Sequence, residues 1–511
     1  MVTRAAQQFG TAPAIISEAG TCSFETLALR VREVAQALIS TGVRRGDRVG
    51  IWAPNSPQWI FTALGAASVG AVIVPINTRL KGGEAAYILA RSGTTQLFTV
   101  DDFLGVDYPQ LLASQSLPAL QRITLFPGSA AATESWRNFL EGGESASAQQ
   151  LHAAMSAVAA DDIADIMFTS GTTGEPKGVM SSQEQNLRTS STWSEWVGLQ
   201  TGDRYLIANP FFHSFGYKAG WLACLLRGAT IYPMPVFNAA TALELIAREK
   251  ITVLPGPPTI FQSLLSDARR ASTDLSSLRL AVTGAASVAP ALITRMRTEL
   301  GFRSVLTAYG LTESCGVLTI CPAGTSDERV AQTCGVPITG VELRCVNEEG
   351  TSVAPGESGE VIARGYNVMR GYFADPAATA AAVDAEGWLH TGDIGSLDAE
   401  GFLRITDRKK DMFIVGGFNC YPAEIEKIMS SHPAIAQVAV IGVNDERLGE
   451  VGHAFVVLRP DASAEATAII DWCRAQMANY KAPRSVRIVA SLPTNAAGKV
   501  QKFTLRDGYT G

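Results

Sequence analysis

Apolar positions recur along this chain in two alternating periods. Leu27, Val31, Val34 and Leu38 fall three or four residues apart, which predicts an amphipathic helix over 26–39 that Gly42 closes. A short apolar run at 48–52 predicts a strand, 57–69 a second helix and 71–76 a second strand. Further strands are predicted at 205–208, 251–254, 278–282 and 304–307. Strands alternating with helices imply a largely parallel sheet covered on both faces, that is, an α/β fold. The last two runs break at glycine or alanine, as strands do where their ends open onto a ligand crevice.

The pattern then changes character. Residues 129–160 turn to Ala, Ser, Gly and Gln, which predicts a variable surface excursion, and 341–365 becomes strand-like, which predicts a small β subdomain. The charged run DRKKD at 407–411 precedes a predicted helix at 422–429, strands at 438–441 and 454–457, and a helix at 466–477. The expected architecture is an N-terminal domain, 1–406, of parallel-rich sheets with helices plus the small β subdomain. A hinge at 407–411 and a mobile α+β C-terminal domain, 412–511, complete it. A chain of 511 residues exceeds what one core accommodates.

Composition narrows the function classes. A net charge of -6 with no basic stripe argues against a nucleic-acid partner. Eight scattered cysteines without a C-x-x-C pair, and only five histidines, argue against a zinc site or a disulfide framework and for a reducing cytoplasm. The N-terminus lacks the apolar core of a signal peptide. The most apolar window, 61–76, is interrupted by Ser68, Gly70 and Pro75, so no membrane span is expected.

Candidate chemistry centres on FTSGTTGEPKG, 168–178. Glycines let successive backbone N–H groups face an anion, Thr169, Ser170, Thr172 and Thr173 add donors, and Lys177 adds positive charge: the composition of a phosphate cradle. A flexible surface turn ending in a solvated lysine is the blander alternative. Pro176 before Lys177 and Gly178 after it separate the loop from G-x-x-x-x-G-K-S/T, whose lysine opens a helix. In TAYGLTE, 307–313, Tyr309 offers a ring for a purine, Gly310 a close approach, Thr312 a donor to phosphate and Glu313 a ligand for Mg2+; alone, the motif is an ordinary packed turn. GWLHTGD, 387–393, sets Asp393 after a glycine, where a turn presents it to a diol. PTNAAGKVQK, 493–502, read alone, is a hairpin turn with a solvated Lys499.

Taken together, TSGTTGEPKG, YGLTE, GWLHTGD, the arginine of DRKKD and the terminal P-x-x-x-x-G-K resemble the adenylate-forming acyl-CoA synthetases, and the resemblance runs from 24 to 502. It implies ATP, Mg2+ and CoA as co-substrates and cofactors. Thr169, Ser170, Gly171, Thr172, Thr173, Gly174 and Lys177 would hold phosphates. Gly284, Ala285 and Ala286 (in VTGAAS, where Ser287 replaces a proline), with Thr307, Ala308, Tyr309, Gly310 and Thr312, would line the nucleotide. Asp393 would bind ribose and Arg408 ribose or phosphate, Glu313 the metal, and Lys499 would bridge carboxylate and α-phosphate; Lys499, Glu313, Thr172 and His213 are the catalytic candidates. Lys410 would be the hinge, and Gly416 and Gly417 would flank the CoA arm. His213, Gly216, Tyr217, Lys218, Ala308 and Cys315 would form the acyl pocket, and Gly216 stands where amino-acid-activating relatives place an aspartate. Asn419 matches a position often held by an amide near the AMP phosphate, whereas Ile414 replaces a lysine that contacts AMP in some members.

Within that family, FFHSFGYKAG, ITVLPGPPTI and RITDRKKDMFIVGGFN resemble actinobacterial synthetases of steroid degradation that activate the propanoate side chain of methylhexahydroindanedione. Medium- or long-chain fatty acids and aryl acids stand as alternative substrates. Transfer to a carrier protein, luciferase-like oxygenation and a non-catalytic nucleotide sensor stand as alternative classes. The expected partners are small molecules, with a homodimer as the candidate assembly.

Overall fold

The helix Phe24–Ser40 begins where the Ser23 hydroxyl accepts the Thr26 N–H at 3.1 Å, and its apolar stripe of Leu27, Val31, Val34 and Leu38 is buried. It packs on the helix Pro57–Ser68 so closely that a Cβ on Gly65 would lie 2.6 Å from Val34 Cγ1. In this computed structural model the described residues are 1–170, 175–284, 290–347, 349–408, 413–459, 462–493, 500 and 502–509.

A seven-stranded sheet runs in the order Gly371–Tyr372, Pro176–Ser182, Ile163–Ser170, Val72–Pro75, Arg48–Trp52, Gln96–Thr99 and Arg122–Leu125. The pairs from Ile163–Ser170 onward are parallel, and the two pairs before it are antiparallel. A second sheet pairs Pro13–Ser17, Thr230–Pro233 and Arg204–Ile207 in parallel. Single bridges at Val253 then join it to the parallel pair Leu280–Gly284 and Ser304–Tyr309. The strand expected at 251–254 is thus reduced to one bridge residue. Pro255, Pro257 and Pro258 follow it and carry no N–H to extend a ladder.

The expected excursion at 129–160 is instead two helices, Ala130–Glu141 and Ala148–Ser156, capped by Ser129 and Ser147. Phe139 and Leu151 are buried, and Phe139 meets Phe98 edge-on at 5.0 Å. The Ala-rich composition that reads as a linker is also the best helix former once a few apolar residues have a core to enter.

Val341–Val346, Gly359–Gly365, Leu389–Leu397 and Leu403–Arg408 form a four-stranded antiparallel sheet. Beyond residue 412, Phe413–Val415, Phe418–Cys420, Ile435–Asp445, Gly449–Leu458 and Ser485–Ile488 build a separate five-stranded sheet. With the helices Pro422–Met429 and Ala466–Gln476 it encloses its own core, which includes Phe413, Ile425, Met429, Val440, Val456 and Ile469. The fold is α/β, a large N-terminal assembly followed by a small α+β module. Among the described residues no helix is long and apolar enough to cross a membrane.

Candidate active site

The described ends of the phosphate-loop motif lie on two paired strands. Ile163–Ser170 and Pro176–Ser182 pair antiparallel with Thr169 opposite Lys177, so the lysine sits on a strand and opens no helix. Gly171, Thr172, Thr173 and Gly174 lie outside the described residues, and Ser170 is described only by its backbone. The Lys177 ammonium lies 5.2 Å over the ring of Tyr372, which the neighbouring strand Gly371–Tyr372 supplies.

At the second sheet's edge, Gly284 stands opposite Ala308, and a Cβ there would lie 2.4 Å from the Ala308 carbonyl oxygen. Ala285 and Ala286 lie outside the described residues. The Thr307 hydroxyl donates to the Val330 carbonyl at 2.9 Å, toward the helix Asp327–Gln332. A Cβ on Gly310 would lie 2.5 Å from the Gly316 carbonyl oxygen, so only glycine lets the chain fold back into the short helical turn Thr312–Ser314. That turn holds Glu313, whose Oε1 accepts the Tyr372 hydroxyl at 2.9 Å. Burial pushes the Glu313 carboxyl above its ordinary range, and the Tyr372 and Thr169 hydroxyls and the Lys177 ammonium pull it back. Hairpin, turn and Tyr372 therefore converge.

Asp393, expected in a turn, lies in the strand Leu389–Leu397, where the antiparallel ladder sets it opposite Arg408. Gly392 at φ 71° and a register shift at Ile394/Gly395 turn the strand there. Asp393 is buried and accepts the Tyr309 hydroxyl at 2.6 Å. Arg408 is described by its backbone alone, and Lys410 and Lys499 lie outside the described residues.

On the acyl side, His213 caps a short helix: its Nδ1 accepts the Phe215 N–H at 3.2 Å, and burial pushes the ring's pKa down to about 4, so it is neutral. Gly216 has no room for a side chain, since a Cβ would lie 2.2 Å from the Pro210 carbonyl oxygen. Cys315 adopts φ 53°, and a Cβ on the following Gly316 would lie 2.9 Å from Ser214 Cβ, which sets the turn after Glu313 against the His213 segment. Behind both lies a buried polar network. The Lys218 ammonium is 2.9 Å from Ser181 Oγ and 3.4 Å from Asp165, the Cys315 thiol is 3.4 Å from the same Ser181 oxygen, and Asn186 donates to the Tyr217 hydroxyl at 3.4 Å. Tyr217 stacks on Trp221 at 4.8 Å. Sequence reading missed Asp165, Ser181 and Asn186; an aspartate inside the apolar run IADIMF and a lysine inside FFHSFGYKAG were the available signal, since buried opposite charges must find each other.

Gly416 and Gly417, at φ 55° and 87°, make the turn between Phe413–Val415 and Phe418–Cys420. A Cβ on Gly417 would lie 3.3 Å from Pro257 Cβ and Cγ, across from the N-terminal assembly. The Ile414 N–H donates to Glu450 at 2.8 Å, and Asn419 is described by its backbone. Tyr372 and Pro257 were also missed, because nothing local to either marks it. Among the described residues no three His, Cys, Asp or Glu side chains are grouped to hold a metal. One carboxylate, Glu313, flanked by hydroxyls, is nonetheless the donor set that suits Mg2+ arriving on a nucleotide, because that ion takes one or two carboxylates and completes its shell with phosphate and water.

Comparison with known proteins matches residues 2–373 to the AMP-binding enzyme family and 424–499 to the AMP-binding enzyme C-terminal domain. A 3-[(3aS,4S,7aS)-7a-methyl-1,5-dioxo-octahydro-1H-inden-4-yl]propanoyl:CoA ligase of Rhodococcus jostii (strain RHA1) is 46% identical over 99% of this chain and 97% of its own. The ligase of the same name from Mycobacterium tuberculosis is 48% identical with the same coverage. Among solved structures, o-succinylbenzoate CoA synthetase (MenE) of Bacillus subtilis matches in two states. A double mutant bound with its product analogue OSB-NCoA gives a TM-score of 0.84 at 30% identity, over 99% of this chain and 98% of that one. The complex with AMP gives 0.68 at 29% identity, over 100% and 98%.

Proposed function

The chain belongs to the AMP-binding enzymes and, among them, to the AMP-forming acyl-CoA synthetases; from that premise we propose that it converts a steroid-derived bicyclic propanoate to its CoA thioester in two steps. In the first, a carboxylate oxygen bonds to the α-phosphorus of ATP and pyrophosphate leaves. In the second, the CoA sulfur bonds to the acyl carbon, AMP leaves with the electron pair of the broken C–O bond, and the thiol proton is released.

The observation that carries this reading is the convergence of Glu313 with Tyr372 and with Thr169 and Lys177 of one hairpin, three separate parts of the chain. Lys177 and the loop hydroxyls would hold the departing phosphates, and Thr312 would donate to phosphate. Tyr309 would stack on adenine beside Gly284, while Asp393 and Arg408 would bind the ribose. Glu313 and the nucleotide would hold Mg2+, which when bound offsets phosphate charge. Neutral His213 would flank the acyl group without adding charge to a carbonyl awaiting attack. Lys499 would sit between two anions during the first step, where positioned positive charge matters most.

Support for the acid comes from the two ligases of the same dioxo-octahydroindenyl propanoate, alike over nearly their whole length. Support for a two-orientation cycle comes from the higher TM-score with the product-analogue complex than with the AMP complex of one protein, and from Gly417 lying against Pro257. In this reading the hinge is 407–411, and the turn at 416–417 leaves space for the pantetheine arm where larger residues would fill it. Eight free cysteines suit a reducing cytoplasm.

The test is incubation with ATP, Mg2+, CoA and a panel of acids: the bicyclic propanoate, hexanoate, palmitate and ferulate. The propanoate is expected to give the highest kcat/KM for acyl-CoA. A preference for a fatty or aryl acid would overturn the substrate assignment, and acyl-AMP that never becomes acyl-CoA would overturn CoA as acceptor.

A further inference from the structure

We infer that Lys481 and Glu84 form a latch that positions the C-terminal module for thioester formation, a role that rests on the two-step reading above. Lys481 is buried, and its ammonium donates to Glu424 Oε1 at 2.6 Å and to Glu84 Oε1 at 2.9 Å. Glu424 belongs to the helix Pro422–Met429 of the same module. Glu84 belongs to the first turn of the helix Gly82–Ser92 in the N-terminal assembly. One lysine thus holds a bond inside its module and a bond across the junction.

Neighbouring contacts repeat the pairing. Asn77 donates to the Tyr480 hydroxyl at 3.1 Å, and the Arg79 guanidinium lies 4.3 Å over Phe418, which in turn stacks on Tyr480 at 4.7 Å. The N-terminal partners Asn77, Arg79 and Glu84 all follow directly from the central strand Val72–Pro75. Phe418 directly follows Gly417 and stacks on Tyr480, the neighbour of Lys481, so the latch and the Gly417–Pro257 contact are carried by adjoining parts of one module. Holding one fixes the other.

The charges explain why such a bond is reversible. Glu84 Oε2 already accepts the Lys81 N–H at 2.9 Å, and Lys481 keeps Glu424 whichever way the module faces. Breaking the cross-junction bond therefore strands no buried charge on either side, which is the condition under which an ion pair tips an equilibrium between two orientations without locking it. Burial alone would lower the Lys481 pKa, but the Glu424 and Glu84 carboxylates outweigh it and keep the ammonium charged.

Two variants test the latch. Glu84→Gln retains one carbonyl oxygen, which cannot serve the Lys81 N–H and Lys481 together, and Tyr480→Phe removes only the hydroxyl that meets Asn77. ATP–pyrophosphate exchange reads the first step, and single-turnover conversion of supplied bicyclic-propanoyl adenylate with CoA reads the second. Glu84→Gln is expected to slow the second step about tenfold while exchange stays within about twofold, and Tyr480→Phe to show a smaller loss in the same step. Equal loss in both steps, or an undiminished second step in both variants, would overturn the latch. Absence of exchange in the unaltered protein with every acid would instead overturn the two-step reading.

Discussion

The Tyr309 hydroxyl donates to Asp393 Oδ2 at 2.6 Å, tying the end of a parallel strand to an antiparallel strand 84 residues further along. The bond fixes a buried carboxylate beside the ring proposed to stack on adenine. Asp393→Ala should lower kcat/KM for ATP about 100-fold, as expected for the loss of charge-assisted bonds to a diol, with little change in KM for the acid. Tyr309→Phe keeps the ring and removes one hydrogen bond from the carboxylate, and should cost about fivefold in the same parameter. Pyrophosphate exchange as a function of ATP measures both; a selective effect on the acid would contradict the ribose assignment.

Gly417 has φ 87°, and a Cβ there would press on Pro257 at 3.3 Å. Gly417→Leu should abolish most thioester formation from supplied acyl-AMP and spare adenylate formation, since the new side chain strains the turn and fills the surface the thiol arm is proposed to follow. Equal retention of both half-reactions in single-turnover assays would exclude that route.

Lys499→Ala should do the converse. Removing one positioned cation from between two anions typically costs on the order of 100- to 1000-fold. Adenylation should fall by that factor, while acyl-AMP and CoA should still give product. Parallel loss of both steps would contradict a cycle in which this lysine serves only one of them.

His213 carries a stability prediction with a definite sign. Its folded pKa of about 4 lies below the ordinary 6.5 because burial disfavours the charged ring. Its contribution is therefore complete above pH 6.5 and is lost as pH falls toward 4, where the loss amounts to about 3 kcal/mol. The urea midpoint should drop faster over this window in the unaltered protein than in His213→Asn, which can still accept the Phe215 N–H. Identical pH profiles would refute it.

Chelating divalent cations with EDTA should stop pyrophosphate exchange, with recovery on adding Mg2+. Glu313→Gln should raise the Mg2+ concentration for half-maximal exchange at least about tenfold, because it replaces a charged ligand with a neutral one. An unchanged Mg2+ requirement would remove Glu313 from the metal's shell.

Much of this was legible in the sequence because its signals are local. The helix Phe24–Ser40 follows from the spacing of four apolar residues, and the proline and glycine on either side of Lys177 keep it from opening a helix, as its place on a strand bears out. Local signals also misled. The 129–160 stretch looked like an excursion because alanine is as common in linkers as in helices, and Phe139 declares itself only once Phe98 is beside it. Val253 looked like one residue of a strand, yet the prolines after it leave it as a lone bridge residue between two strands.

By itself the sequence determined which chemistry is available, because glycine, hydroxyl and lysine at close spacing have the composition of a phosphate cradle. Only the tertiary structure decided which distant groups meet: Tyr372 on Glu313, Lys218 on Asp165, Pro257 on Gly417 and Lys481 on Glu84. These pairs are separated by tens to hundreds of residues, and burial of charge or loss of space becomes a constraint only where another part of the chain excludes the water.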